Sequence, residues 1–554
     1  MMLRKFSMLK FSIKPLWLAV SVLLVALGLA FKMVLAANGA ISAFTPANQP
    51  VGFVGQDDIT NYNLTSGHEV LFRGQYEKEY WGGNLIAYGV NSAGDISVAT
   101  QPWNGGAAYQ IELQGANRFI VTMNSVGAGI PFTWANVSAT LSSTELVLNF
   151  LRGDRSLEVQ QGGTLRQRAS ALGDIVHSRP YYVSDSTSAT PAPTVFVGAN
   201  DGMLHAFNAG TGAERWAYVP SMLISKMKNL AVMPYVHDYY VDGSVNVATL
   251  ANGKRVLVGV LGAGGKGIYA LNITGSSRLA PDTEAAAAGN ALWEITPTSI
   301  NNAASSAYAN LGYTYANPTI AKVGVVDAVI VGNGYNNGGD YKAYLYVINA
   351  DTGALISALK AGTLGTAAIP NGLSTPIAVD SNNDGNVDTV YAGDLYGTMW
   401  KFNLSTSTVT ELLTTSPAQP ITMSPGVAKH PSGGYMVNFG TGAMLAAADM
   451  TDASVYAVYG VWDGAPAANT ALLTQTLTER CYTSGAAVAA NPCANRVRTV
   501  SVNQPDWTSG ASNHKGWKVT LPAGEKVIGD GSFIENGRFY FNGYNPTAAT
   551  AVQS

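Results

Sequence analysis

The chain contains 554 residues with a formal net charge of −3 at pH 7, and only 12% of its residues are charged. This length allows two or more domains, or one large β architecture with a smaller segment before it. Because the charge is nearly balanced and no basic tract occurs, the composition argues against a protein that binds nucleic acid.

The N-terminus has the layout of an export signal. Lysine and arginine residues at positions 4, 5, 10 and 14 precede an apolar run from Leu16 to Phe31, and small residues follow it. This order predicts a signal peptide over residues 1–36, with cleavage after Ala36. The run is slightly long for a signal and short for a membrane span, so an uncleaved anchor is the alternative. In both cases the bulk of the chain is exported.

Residues 37–168 are predicted to form a small β-rich segment. Short apolar or alternating stretches are separated by Gly, Asn and Ser, as in Asn84–Tyr88, Tyr109–Leu113 and Arg118–Thr122. We find no stretch of helical periodicity here. The segment also contains the tripeptide Arg152-Gly153-Asp154, for which a strand end or linker and an integrin-binding motif are both open.

A loose repeat begins near residue 169 and continues to residue 554. Each copy has an apolar β run ending in glycine, a polar turn and a second β run with an aromatic residue. Clear copies are Val195–Phe207, Val256–Ile273, Val329–Asn349, Val390–Phe402 and Met436–Trp462, and a degenerate copy is Phe533–Tyr544. Repeats of about 40 to 65 residues with several short strands are typical of a β-propeller. We therefore predict an all-β propeller of six to seven blades.

Two stretches resemble the tryptophan-docking repeat of quinoprotein propellers. Ala206–Trp216 and Asn349–Ala354 both contain Thr-Gly, which makes the turn between strands, and Trp216 is expected to lock neighbouring blades. Quinoprotein alcohol dehydrogenases also carry an adjacent Cys–Cys pair, which this sequence lacks. The resemblance therefore supports a propeller fold but does not indicate a quinoprotein enzyme activity.

The strongest chemical signal is the loop from Asp380 to Asp388. Oxygen-bearing side chains occupy loop positions 1, 3, 5 and 9, which are Asp380, Asn382, Asp384 and Asp388. Gly385 stands at position 6, where an EF-hand calcium loop turns sharply, and Asn386 at position 7 would contribute its backbone carbonyl.

The flanks of this loop differ from those of an EF-hand. The residues on both sides are β-like, and position 12 is Tyr391 where an EF-hand has a bidentate Glu. We therefore predict a shortened Ca²⁺ loop between two strands. The alternative is a polar Asn/Asp/Gly turn that binds no ion.

Other motifs indicate structure more than chemistry. Cys481 and Cys493 are predicted to form a disulfide in an oxidising compartment, and a metal site is the weaker alternative because no histidine lies near them. Gly262–Gly267 matches a dinucleotide fingerprint, but a strand follows it where that fingerprint requires a helix. The histidines have no spacing typical of a metal site.

Taken together, these residues resemble the PilY/PilC family of type IV pilus assembly and tip-adhesin proteins. The resemblance extends from about residue 80 to about residue 540. The matching stretches are Leu172–Ser178, Val197–Phe207, Trp216–Pro220, Tyr240–Ser244, Leu261–Leu271, Gly372–Pro376 and Tyr391–Leu395.

The resemblance implies a modified seven-bladed, quinoprotein-like propeller that binds Ca²⁺ through the loop at residues 380–388. It also implies a non-enzymatic protein that controls pilus extension and retraction and supports twitching motility and adhesion. Implied partners are minor pilins, other pilus tip components and a host or abiotic surface. The implied location is the periplasm, outer membrane and pilus tip of a Gram-negative bacterium. An exported propeller enzyme and a cell-envelope scaffold are the alternatives.

Overall fold

The structure is a computed structural model that describes residues 70–90, 96–97, 103–184, 192–464, 472–483, 486–488, 496–508, 513–529, 532–535 and 537–546. The predicted signal peptide and Cys493 lie outside these residues, so cleavage and the disulfide stay predictions. Within the described ranges, no helix is long and apolar enough to cross a membrane.

The region before the repeats contains helices as well as strands. Its strands are β1 (Val70–Tyr76), β2 (Gly83–Val90), β3 (Ile96–Ser97), β4 (Ile120–Met123) and β5 (Gly129–Pro131). Its helices are α1 (Gly106–Gln114), α2 (Trp134–Leu141) and α3 (Glu145–Arg152). β1, β2 and β3 form one antiparallel sheet, against which α1 packs through β2.

The prediction of a strand at Tyr109–Leu113 is wrong, because these residues lie inside α1. Their alternation of apolar and polar residues resembles a strand. In the helix, however, Ala107 and Ile111, four residues apart, share the buried face. Tyr109 and Leu113 are 44% and 64% exposed. Packing against β2 therefore decided the local structure.

The Arg-Gly-Asp tripeptide ends α3. Gly153 caps the helix with a φ of 115°. The Arg152 guanidinium donates to the carbonyl oxygens of Phe132 (2.7 Å) and Arg118 (2.8 Å), and it pairs with Glu284 at 3.0 Å. The tripeptide is thus a helix C-terminus whose arginine is bound within the fold.

Blade 1 combines strands from both sides of the predicted boundary at residue 169. Its later strands are β6 (Tyr181–Val183), β7 (Thr194–Ala199), β8 (Met203–Asn208) and β9 (Glu214–Tyr218). The sheet order is β5-β4-β9-β8-β7-β6. β4 pairs in parallel with β9, with Ile120 opposite Ala217, so the N-terminal segment completes this blade.

Blades 2, 3 and 4 follow in chain order. Blade 2 contains β10 (Val245–Thr249), β11 (Arg255–Val260), β12 (Ile268–Asn272), β13 (Ala291–Thr296), β14 (Ser299–Ile300) and β15 (Ala303–Ala304). Blade 3 contains β16 (Thr319–Val323), β17 (Val326–Gly332), β18 (Ala343–Asn349) and β19 (Leu355–Ala361). Blade 4 contains β20 (Ile377–Val379), β21 (Thr389–Gly393), β22 (Thr398–Asn403) and β23 (Thr408–Thr414). The short helices are α4 (Ile224–Met227), α5 (Ser276–Leu279) and α6 (Glu284–Ala288).

The C-terminal part contributes blade 5 and three smaller sheets. Its strands are β24 (Gly426–Lys429), β25 (Tyr435–Gly440), β26 (Ala457–Trp462), β27 (Leu472–Gln475), β28 (Leu477–Thr483), β29 (Ala486–Val488), β30 (Arg496–Val500), β31 (Gly516–Thr520), β32 (Lys526–Val527), β33 (Phe533–Glu535), β34 (Arg538–Tyr540) and β35 (Gly543–Tyr544). Blade 5 has the order β24-β25-β26-β31-β27, and the small sheets are β29-β28-β30, β32-β35 and β33-β34. The predicted all-β propeller fold is confirmed.

The core consists of apolar layers between successive blades. Side chains alternate across each strand, so one strand supplies two layers. Val329 and Val331 of β17 pack toward blade 2, whereas Ile330 packs toward blade 4. In β21, Val390 packs toward blade 3 and Tyr391 packs toward blade 5. Because both faces of the inner strands are buried, their sequences are almost continuously apolar.

Tryptophan side chains lock neighbouring blades, and Trp293 does so at a predicted Thr-Gly turn. Trp293 of blade 2 donates its indole N–H to the carbonyl of Ala350 in blade 3, at 2.9 Å. Its ring lies against Gly353, whose φ of 71° favours glycine. Trp216 donates its indole N–H to the carbonyl of Leu279 at 3.2 Å, and Leu279 lies in α5, between β12 and β13 of blade 2. The expected locking role of Trp216 is therefore confirmed.

Four buried, charged side chains form a hydrogen-bonded network across the strands of blade 1. Arg118 pairs with Glu214 at 2.5 Å, and His205 contacts both Glu214 (2.6 Å) and Asp201 (3.1 Å). Burial alone would lower the pKa of His205, but the neighbouring carboxylates outweigh it and raise that pKa to about 9. Burial opposes ionisation of Glu214 as well, yet Arg118 and His205 lower its pKa to about 2.

We expect Trp293→Ala to lower the free energy of unfolding by about 3–5 kcal/mol, because it removes a buried ring and the blade 2–blade 3 hydrogen bond. Thermal or denaturant unfolding measures this loss. Trp293→Phe should lose less, and Val325→Ala, at a 94% exposed side chain, should lose almost nothing. Equal losses in all three variants would contradict the locking role.

We expect His205 to make the stability depend on pH in the alkaline range. Its pKa is raised from 6.5 to about 9, so its contribution is complete below pH 6.5 and disappears as the pH rises to about 9. Unfolding curves across this range should show a loss on the order of 2–3 kcal/mol that is absent from His205→Gln. His514→Gln is the control and should keep the wild-type pH dependence. An unchanged profile in His205→Gln would refute this assignment.

Candidate metal centre

The predicted calcium loop lies between two antiparallel strands of blade 4. β20 ends at Val379 and β21 begins at Thr389, and these two residues are opposite each other in the sheet. The N–H of Asp388 donates to the carbonyl of Val379 at 3.2 Å. The prediction that this loop joins two strands is confirmed.

The loop is tied to strands on both of its sides. The N–H of Val387 donates to the carbonyl of Lys322 in β16 of blade 3, at 2.7 Å. The carbonyl of Asp388 accepts from the N–H of Leu404, just after β22, at 2.8 Å. The C-terminal part of the loop is therefore fixed to the propeller, whereas residues 381–385 are exposed.

Two residues turn the chain at the tip of the loop. Gly385 has a φ of 87° and Asn383 has a φ of 59°, both in the left-handed region that glycine and asparagine tolerate best. No atom lies within 4 Å of the position that a Cβ on Gly385 would take. Glycine is thus favoured at position 385 by the backbone conformation and not by lack of space.

The carboxylates at positions 1 and 5 accept hydrogen bonds from the loop itself. Asp380 accepts from the N–H groups of Asp384 (3.1 Å) and Gly385 (2.7 Å). Asp384 accepts from the N–H of Asn386 at 2.8 Å and from the side-chain amides of Asn382 and Asn386. The backbone bond from Asn386 is the main cause that lowers the pKa of Asp384, followed by those two amides. Asp384 is therefore ionised at neutral pH.

Two buried loop oxygens have no hydrogen-bond donor in the part of the chain that the structure describes. Asp388 uses Oδ2 to accept from the hydroxyl (2.9 Å) and the N–H (3.2 Å) of Ser381, while its Oδ1 has no partner within the described residues. The Oδ1 atom of Asn386 is likewise buried and unpaired there. Buried oxygens without donors are costly, and a cation would satisfy them.

The loop residues fit calcium in their chemistry. Ca²⁺ is bound by oxygen ligands, and this loop offers three carboxylates, amide oxygens and backbone carbonyls. Within the described ranges, no three His, Cys, Asp or Glu side chains are gathered as a metal cluster. The carboxylates of Asp380, Asp384 and Asp388 therefore do not converge on one point here, and binding an ion would require the loop to draw together.

Position 12 of the loop serves a purpose that the sequence did not reveal. The hydroxyl of the buried Tyr391 donates to Asp463 Oδ2 in blade 5, at 2.6 Å. Asp463 also pairs with Lys401 at 2.5 Å and accepts from the N–H of Tyr435. Tyr391 thus connects the loop-bearing strand to blade 5. The only sign of this role in the sequence is that position 12 is aromatic. Its partner cannot be identified from the sequence, because Asp463 is 72 residues away.

The glycine-rich stretch, His177 and Cys481 lie in turns, hydrogen bonds and strands of the fold. Gly262–Gly264 is a single 3-10 turn between the antiparallel strands β11 and β12, so the glycine-rich stretch leads into a strand, as predicted. His177 bonds through Nδ1 to Asp242 at 2.7 Å. Cys481 lies in β28, and its predicted partner is outside the described residues.

Comparisons with known proteins identify relatives of this propeller. A family model described as the PilY1 beta-propeller domain matches residues 162–416. The chain is 30% identical to the type IV pilus biogenesis factor PilY1 of Pseudomonas aeruginosa (strain UCBPP-PA14), over 86% of this chain and 47% of that protein. It is 35% identical to a PilY1 homolog of Xylella fastidiosa (strain Temecula1 / ATCC 700964), over 71% of this chain and 32% of that protein.

A solved structure agrees with these relatives. The crystal structure of the Pseudomonas aeruginosa PilY1 C-terminal domain matches with a TM-score of 0.51 and 30% identity, over 64% of this chain and 77% of that one. The chain spans less than half the length of the curated relatives described above. Since sequence and fold agree over the propeller, the chain belongs to the PilY1 family.

Proposed function

We propose that this protein is an exported, calcium-binding type IV pilus biogenesis factor without enzymatic activity. The observation that carries the proposal is the oxygen-rich loop between β20 and β21, with its unpaired Asn386 and Asp388 oxygens, in a propeller of the PilY1 family. Relatives named as pilus biogenesis factors support the biological role.

The residues that would hold calcium are Asp380, Asn382, Asp384, Asn386 and Asp388. Bound calcium supplies the positive charge that lets three carboxylates approach one another. Without the ion, Asp380 and Asp384 accept hydrogen bonds from N–H groups of the loop. Asn386 would present Oδ1 as well as its carbonyl, because the buried Oδ1 has no donor among the described residues.

The position of the loop provides a route from ion binding to a partner surface. Val387 is bonded to blade 3, and Tyr391 connects the next strand to Asp463 of blade 5. Contraction of the exposed tip at residues 381–385 would change the surface next to these fixed points, while the strands stay in place. We propose that this surface meets minor pilins and other tip or assembly components of the pilus.

In the cell, this change would set the balance between pilus extension and retraction. Through that balance the protein would support twitching motility and adhesion to a host or abiotic surface. Its place would be the periplasm, outer membrane and pilus tip of a Gram-negative bacterium. A scaffold that uses the propeller only as a rigid body would show no response of partner binding to calcium.

Calorimetric titration should show saturable binding of about one Ca²⁺ per chain, with a dissociation constant of about 10⁻⁶ M or weaker because the position-12 Glu is absent. Asp388→Asn keeps the shape of the side chain but removes a charge, so we expect at least about a tenfold loss of affinity. Asp282→Asn changes an exposed carboxylate outside the loop and should bind like the wild type. Binding that is absent from the wild type, or unchanged in Asp388→Asn, would refute the site.

Replacing the chromosomal gene with the Asp388→Asn variant should impair twitching motility at the external calcium concentration that saturates the wild type. Surface piliation and the amount of the protein should be measured in the same cells, with Asp282→Asn as the control strain. Normal motility in a strain whose purified protein has lost calcium binding would show that the role in the pilus is independent of the ion.

A further inference from the structure

Arg166 is a buried cation that forms no ion pair within the described residues. Its side chain lies between the N-terminal helices and blade 1, and the residue is only 6% exposed. Its backbone N–H donates to the carbonyl of Ala231 at 3.2 Å, and its guanidinium lies over the ring of Tyr235, 3.8 Å from the centroid. The backbone and one face of the guanidinium are therefore held in place.

The edges of the same guanidinium are not satisfied. Its Nε and Nη1 atoms are buried and donate no hydrogen bond within the described part of the chain. Burial lowers the pKa of Arg166, as expected for a cation without a close anion. A guanidinium has only donors, so an acceptor must satisfy these groups, and an anion would also balance the charge.

The acidic side chains nearby already have partners. Glu158 pairs with Arg168 at 2.8 Å and with Arg155 at 3.2 Å.

Asp201 pairs with His205 at 3.1 Å and also accepts from the N–H of Gly173 at 3.0 Å. Asp174 pairs with His237 at 2.8 Å. Among the residues that the structure describes, no carboxylate therefore pairs directly with Arg166.

Arg166 lines a small recess together with Arg168, Asp201 and the apolar residues Phe150, Leu151 and Leu230. The recess has room for a particle about the size of one water molecule. Phosphate, sulfate and organic acids are too large for it. We propose that this recess binds a small monovalent anion of the halide class, which pairs with the free donors of Arg166.

The lining of the recess favours an anion over other occupants. Arg166 and Arg168 would repel a cation, and the carboxylate of Asp201 is turned to His205 and to backbone donors. A water molecule would accept a hydrogen bond from Arg166 but would leave its charge unbalanced in an apolar setting. The anion would act as a structural ion at the junction of the N-terminal helices and blade 1.

Thermal unfolding of the purified protein tests the proposal, with sodium chloride exchanged for sodium gluconate at constant ionic strength. We expect the midpoint of unfolding to rise saturably with chloride in the wild type and to stay constant in Arg166→Met. Arg215→Met is the matched control, because Nε and Nη1 of Arg215 are also buried without a partner in the described ranges, but Arg215 does not line this recess. It should keep the chloride response.

Crystals of the wild type grown in sodium bromide supply a second readout that does not depend on the folding of a variant. Bromide should give an anomalous peak within hydrogen-bond distance of Nε or Nη1 of Arg166. The absence of a chloride response in the wild type, an equal response in Arg166→Met, or a water molecule alone at this position would each overturn the proposal.

Discussion

The packing of each blade against its two neighbours is the constraint on which the rest of the structure depends. An inner strand such as β17 buries Val329 and Ile330 in different layers, so a single blade exposes apolar surface on both faces. Burying that surface requires the next blade, and stacking therefore continues around the propeller. The indole N–H of Trp293 then selects the register between blades 2 and 3 through the carbonyl of Ala350.

Closely packed blades leave little water inside, so polar side chains between them must find partners within the protein. Arg118, Glu214, His205 and Asp201 neutralise one another across blade 1. Asp463 performs the same role between blades 4 and 5. Each network is costly to disturb, because removing one member leaves a buried charge unpaired.

At both proposed ion sites, compensation by other described residues is incomplete. Asp388 Oδ1 and Asn386 Oδ1 lack donors on the acidic loop, and Arg166 Nε and Nη1 lack acceptors in the recess beside blade 1. The loop tip is exposed, whereas the recess beside Arg166 has room for about one water-sized particle.

The sequence alone determined the repeated β runs, the Thr-Gly turns and the acidic loop between two strands. These features are local: the turns at Gly353 and Gly385 need a positive φ, which glycine itself allows. Tertiary structure alone decided features that join distant residues. Packing against β2 made α1 a helix despite its alternating pattern, and β4 paired with β9 across the predicted boundary. Asp463 became the partner of Tyr391, and Arg166 was buried with no acceptor for Nε and Nη1 among the described residues. Such pairings depend on how the whole chain closes, which no local pattern encodes.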